Sequence, residues 1–120
     1  MNTAEALGRA RALIEEEDNW NKYDLARKQS GEKCVLLTYD KAAVNPDAHS
    51  FCAVGAMRAI VVPAQKPGLK EELRCELALY LALPGRFKRI TMFNDHELTS
   101  HRDVLKLYDR AISLAEKEGI

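Results

Sequence analysis

Residues 45–63, "NPDAHSFCAVGAMRAIVVP", decide how the rest of the chain is read. Asn45 can cap a helix, Pro46 suits a first helical position, and Asp47 complements the positive end of a helix dipole. Pro63 pushes Val62 toward extended backbone, so the sequence predicts a helix over 46–61. Positions three and four apart share a helix face. That places Ala48, Cys52, Gly55, Ala56 and Ala59 along one stripe, every member of it small. Phe51, Val54, Met57, Ile60, Val61 and Val62 cover most of the remaining circumference, with Arg58 the main polar interruption. A helix apolar nearly all round is a buried, central one. A mid-helix glycine costs about 1 kcal/mol relative to alanine, so Gly55 implies a neighbouring segment pressed close along the small stripe.

Upstream, Thr3 is a plausible cap for a helix carrying Ala6, Leu7, Ala10, Leu13 and Ile14 at helical spacing. Glu15, Glu16 and Glu17 oppose that helix's dipole and predict its end before Asp18. A second short helix is expected over 20–27, burying Trp20, Tyr23 and Leu25, with Ser30-Gly31 closing it. Residues 33–39 are β-prone but have no clear hairpin partner, and read as a short extended segment. Downstream, a loop at 63–68 leads to a helix over 69–83, with Glu71 and Glu72 in its first turn and Pro84-Gly85 after it. Residues 86–93 read equally as a short helix or an extended piece. Ser100 and Asp103 form a capping box for a last helix whose inward stripe is Val104, Leu107, Tyr108, Ala111, Ile112 and Ala115. The predicted fold is mainly α: a compact single-domain helical bundle over 1–120, with about five helices around the buried central one at 46–61.

Composition bounds the function. Lys plus Arg and Asp plus Glu are 18 each, giving zero formal net charge. That argues against a nucleic-acid binder, which carries a basic excess. The longest apolar run, Leu77 to Leu83, is far too short to span a bilayer, and the N-terminal stretch has no signal core. Three cysteines, an odd number without a secretion signal, fit a reducing interior. The expectation is a cytoplasmic chain with no membrane partner.

Cys52 is the most conspicuous chemical residue. A catalytic thiol is activated at a helix N-terminus or beside a cation. With a helix from 46, Cys52 lies almost two turns in, where the dipole has faded, and packing explains it more simply. His49, His96 and His101, with Asp95, are the remaining weak catalytic candidates. His96 and His101 are five apart, about 140° round a helix, so "DHELTSH" fails the zinc-protease spacing of i and i+4. A composite site from Cys34, His49, Cys52, His96 and His101 lacks any C-x-x-C pair, and neither metal nor cofactor is predicted. Asn94-Asp95 reads first as a backbone-bonding turn that ties the last helix to the core, and second as a polar ligand pocket. Arg86, Lys88 and Arg89 surround Phe87 and could meet phosphate or an acidic partner, although three charges are more often a solvated face.

Trp20 followed by "DLARKQSGEKC", then "DAHSFCAVGAMRAI", "FND" and "DVLKLYDRAI", resembles a small bacterial and phage family, domain-of-unknown-function family 6197. The matching positions are Trp20, Cys52, Gly55, Ala56, Asn94, Asp95, Val104, Asp109 and Ala111, and the likeness spans about 20–115. The charged 66–76 region departs from it. The resemblance implies a small intracellular domain, phage- or mobile-element-borne, with no activity attached. Trp20, Cys52, Gly55, Ala56 and Asp109 are therefore expected to be structural. The expected function is a non-enzymatic accessory or interaction protein that binds a protein or small ligand, or forms a homo-oligomer. The alternative is a cysteine-dependent hydrolase or transferase using Cys52, a histidine and Asp95.

Overall fold

The last helix carries the strongest local instructions. Ser100 Oγ accepts from the Asp103 N–H at 3.2 Å, and the Asp103 carboxylate accepts from the Ser100 N–H at 2.9 Å. This reciprocal box starts a helix at His101 and runs it to Glu118, where Gly119 takes left-handed backbone at φ +67°. The Ser100 N–H also holds the Asp103 carboxyl below its ordinary range. Val104, Leu107, Tyr108, Ala111 and Ala115 are buried along the inward face, and Ile112 is half-buried at its edge.

The computed structural model describes residues 1–34, 43–64 and 70–120. Within them the order is α1 (Thr3–Leu13), β1 (Ala26–Lys28), β2 (Ala48–Phe51), α2 (Ala53–Ala64), α3 (Lys70–Leu81), α4 (Ile90–Asp95) and α5 (His101–Glu118), with one 3-10 turn at Glu17–Asn19. The mainly helical expectation holds, with five α-helices beside a two-stranded antiparallel sheet. Asn2 caps α1 through Glu5 N–H, at 2.8 Å, and Thr3 is instead its buried first residue. Ala6, Leu7 and Ala10 set α1 against α5, α2 and α3. The middle helix, α2, is central: it touches α1, α3, α4 and β2, and Ala53, Ala56, Met57 and Val61 are wholly shielded. The Cα radius of gyration is 13.2 Å, close to the ~13.6 Å that chain-length scaling gives for a compact body.

Two boundaries differ from the sequence reading. The central helix starts at Ala53 rather than Pro46 and continues to Ala64, with Pro63 inside its last turn. Asn45 does not cap it. Its Oδ1 accepts from the Asp47 N–H at 2.8 Å while its carbonyl takes the Ala48 N–H at 3.0 Å, which makes a tight turn. The chain leaves that turn as β2, pairing Ala26 with Phe51, Arg27 with Ser50 and Lys28 with Ala48. Asn followed by Pro-Asp suits a side-chain-closed turn as well as a helix start, and the distant strand partner settled the choice. For the same reason the helix expected over 20–27 does not form, and the chain bends through 22–25 between a bridge at Trp20 and a strand from Ala26. Trp20 bridges to Phe51, the Asn21 N–H reaches Phe51 O at 2.9 Å, and β1 follows.

The other helices lie near their predicted places. The one expected at 69–83 is α3, and the ambiguous 86–93 region ends in the short α4. Of the predicted extended segment at 33–39, Lys33 bridges to Arg27 and the Cys34 N–H reaches Ala26 O at 2.9 Å. Residues 35–39 lie outside the described residues, as do 65–68 of the predicted loop. Among the described residues no helix is long and apolar enough to cross a membrane.

Candidate functional site

The start of α2 gathers most residues that looked chemical in the sequence. Asn94 is fully buried at the end of α4. Its Oδ1 accepts from Trp20 Nε1 at 2.8 Å and from the Ala53 N–H at 3.0 Å. Its Nδ2 donates to Asn21 O at 3.1 Å and to Asp95 Oδ1 at 2.9 Å. All four hydrogen-bonding positions of the amide are thus occupied. Asp95 Oδ1 also accepts from the Tyr23 N–H at 2.7 Å, and Tyr23 is held at φ +76°, a conformation tyrosine rarely takes. Asn94 and Asp95 close the end of α4 and fasten the 20–23 crossing to α2, rather than forming a turn into α5. Ser50 Oγ donates to Asn21 Oδ1 at 2.7 Å and completes this inner network.

Cys52 sits at the N-terminus of α2, not two turns inside it. Its carbonyl accepts from the Ala56 N–H at 2.9 Å, and its Sγ accepts from the Gly55 N–H at 3.3 Å. A helix N-terminus lowers a thiol pKa and burial raises it. Burial prevails: Cys52 is only 3% exposed, and its thiol is pushed up to about 11 against the pull of the Gly55 and Val54 N–H groups. The reason for Gly55 is visible here. A Cβ on it would stand 1.8 Å from Leu25 O, the same carbonyl that takes the Cys52 N–H at 3.3 Å.

The histidines point elsewhere. His49 is exposed on β2. His96 Nδ1 accepts from the Leu98 N–H at 3.2 Å, and its ring lies edge-on to Phe87. His101 Nε2 donates to Ile14 O at 2.6 Å and packs on Trp20 at 5.8 Å between centroids. None of the three hydrogen-bonds Cys52, and among the described residues no histidine is placed as a base for the thiol. Among the described residues no group of three His, Cys, Asp or Glu side chains could hold a metal. Ala56 is buried in α2, and Asp109 pairs with Arg11 Nε at 2.8 Å on the α1–α5 surface.

A different face of the molecule is open. Between α2, α3 and residues 88–91 lies a groove of about 610 Å³, within the ~300–1,000 Å³ common for binding clefts. Leu25, Val54 and Ile90 floor it, and Leu73, Leu77 and Tyr80 of α3 form one wall. Lys88 and Arg89, exposed residues, line the other. Arg86 lies instead over the Phe87 ring at 4.9 Å. Arg58 reaches Glu72 at 3.0 Å beneath the wall, joining α2 to α3. The packed side of α3 is Cys75, Ala78 and Leu79, with Ala82 just beyond, while Leu73, Leu77, Tyr80 and Leu81 are 59%, 46%, 50% and 53% exposed. Sequence reasoning passed over these four. The available signal was a helix apolar on two sides, which implies two neighbours rather than one.

A family model described as "Family of unknown function (DUF6197)" matches residues 1–114. No curated protein and no solved structure matches the chain.

Proposed function

The chain belongs to family 6197, a family of unknown function, and from that premise we propose that it is a small non-enzymatic accessory protein that binds another protein through the outer face of α3 and the adjoining groove. The observation that carries this reading is the exposed row Leu73, Leu77, Tyr80 and Leu81 on a single helix. Contiguous apolar surface of that kind is costly in water and marks interaction sites on small proteins. The shielding of Cys52 and the engagement of the histidines elsewhere support binding over turnover. Three free, buried thiols fit a reducing cytoplasm, in a bacterial or phage setting as the resemblance implies. Packing of α1 against α5 joins the two ends of the chain and supports one domain over 1–120.

One observation favours a cysteine-dependent reaction, namely the position of Cys52 at a helix N-terminus. The two readings separate on paired variants expressed in the host. Leu77→Glu weakens association roughly tenfold or more while the fold persists, because the side chain is half exposed. Cys52→Ser leaves association and phenotype intact. A normally folded Cys52→Ser that loses the phenotype, with Leu77→Glu retaining it, reverses the assignment.

A further inference from the structure

We infer that the partner seated on this face is a second copy of the chain, paired about a two-fold axis that passes near Leu77 of α3. The inference rests on reading α3 as a binding face. A two-fold interface sets one patch against itself, so the patch must complement itself in shape, apolar pattern and charge.

In shape, the ridge formed by Leu73, Leu77 and Tyr80 stands directly beside the groove. A two-fold rotation therefore lays each copy's ridge along the other's groove. In pattern, Leu73, Leu77 and Leu81 are spaced four apart and are symmetric about Leu77. Antiparallel pairing of the helices sets Leu77 against Leu77 and Leu73 against Leu81. The same register brings Arg74, exposed on α3, opposite Tyr80 for a cation–π contact. Leu73, Leu77 and Tyr80 also follow the four-then-three spacing of a helix–helix seam.

In charge, the groove has walls of opposite sign: Glu76 belongs to the α3 wall, Lys88 and Arg89 to the facing one. A second α3 lying in the groove carries its own Glu76 toward Lys88 and Arg89. The second copy brings a carboxylate to the groove's cations and, through Arg74, a cation to the facing α3 wall. Zero formal net charge on the chain means that two copies meet without long-range repulsion.

The test is sedimentation equilibrium on the full chain, under reducing conditions, from about 1 to about 500 µM, which brackets the affinities of small interfaces. A concentration-dependent dimer is expected. Leu77→Glu, which sets two carboxylates face to face on the axis, weakens it roughly 100-fold. Leu98→Glu, equally drastic but at a 74% exposed position outside the groove, leaves it within about twofold. Circular dichroism and melting temperature confirm that both variants are folded. As an independent geometric check, Leu77→Cys forms an intermolecular disulfide under mild oxidation and Leu98→Cys does not, the native cysteines all being buried. A wild-type chain that stays monomeric throughout overturns the second copy, and if Leu77→Glu still abolishes association with another protein, the binding face itself survives. A dimer indifferent to Leu77→Glu, with no disulfide from Leu77→Cys, overturns the axis. If α3 variants alter no association of any kind, both readings fall.

Discussion

The N-terminus of α2 and the outer face of α3 lie close together, since Val54 and Arg58 of α2 belong to the groove, yet they are built in opposite ways. The Asn94 amide has all four of its hydrogen-bonding positions filled internally, and Asn21, Ser50, Cys52 and Ala53 beside it are buried. On α3 four large apolar side chains stand exposed, uncovered by any of the described residues. The first region has the residue types associated with chemistry, Cys, Asn, Asp and Trp, and spends them on holding three chain segments together. The second has leucines and a tyrosine, residue types associated with cores, and presents them outward. Surplus binding capacity, rather than reactive side chains, marks the candidate site.

The contrast breaks first at the joint. Gly55→Ala drives a methyl into the Leu25 carbonyl and is expected to destabilise by about 3 kcal/mol or more, since backbone cannot yield as a side chain would. Asn94→Ala strands the Trp20 Nε1–H and Ala53 N–H donors in a buried place, at a cost of about 2–4 kcal/mol. Urea denaturation measures both. A loss under about 1 kcal/mol in either would mean that the region yields more readily than its geometry implies.

Alkaline titration sharpens the same point. Folded Cys52 holds its proton up to about pH 11, whereas an unfolded thiol releases it near 8.5. The folded state binds the proton more tightly, so this contribution is complete below the unfolded pKa and is lost as pH climbs toward the folded one. The expected loss is on the order of 2 kcal/mol by about pH 10.5, read as the difference between the wild type and Cys52→Ala. Cys75, pushed up to about 12 by burial and Glu71, acts in the same direction. A thiol reagent reaches Cys52 orders of magnitude more slowly in the native protein than in urea. Immediate native labelling would refute the dry joint.

Smaller effects are expected at the surface. Asp109→Asn removes the Arg11 partner from a site where Asp109 is 57% exposed, and costs about 0.2–1 kcal/mol. Leu73→Ser and Leu81→Ser change stability by less than about 0.5 kcal/mol while reducing association. A large stability loss from either would show that α3's outer face serves the fold and not a partner.

How much of this was legible follows the range of each signal. The start of α5 was readable because Ser100 and Asp103 are three residues apart and cap it by themselves. The inward stripe of that helix was readable because one period suffices. The start of α2 was not: Asn45, Pro46 and Asp47 obey turn and helix rules equally, and only pairing with β1, some twenty residues upstream, decides between them. Trp20 and Tyr23 suggested a helix, yet contacts of Trp20 with Phe51 and Asn94 hold the start of that stretch out of helical geometry. The tight slot at Gly55 was anticipated from its cost in a helix, although the segment filling it was not. Periodicity shows that α3 has apolar sides but not which of them its neighbours cover, so Leu73, Leu77, Tyr80 and Leu81 could not be separated from Ala78 and Leu79.

The amide of Asn94 also bears on how the chain is made. It is the acceptor for donors on residues 20 and 53, synthesised 74 and 41 positions earlier. A ribosome adding roughly 5–20 residues each second therefore exposes the first half of the chain for several seconds with those donors unanswered. During that interval the 20–23 crossing and the first turn of α2 lack this fastening. Until residue 94 emerges, chaperones and proteases meet a precursor in which these two donors lack their acceptor.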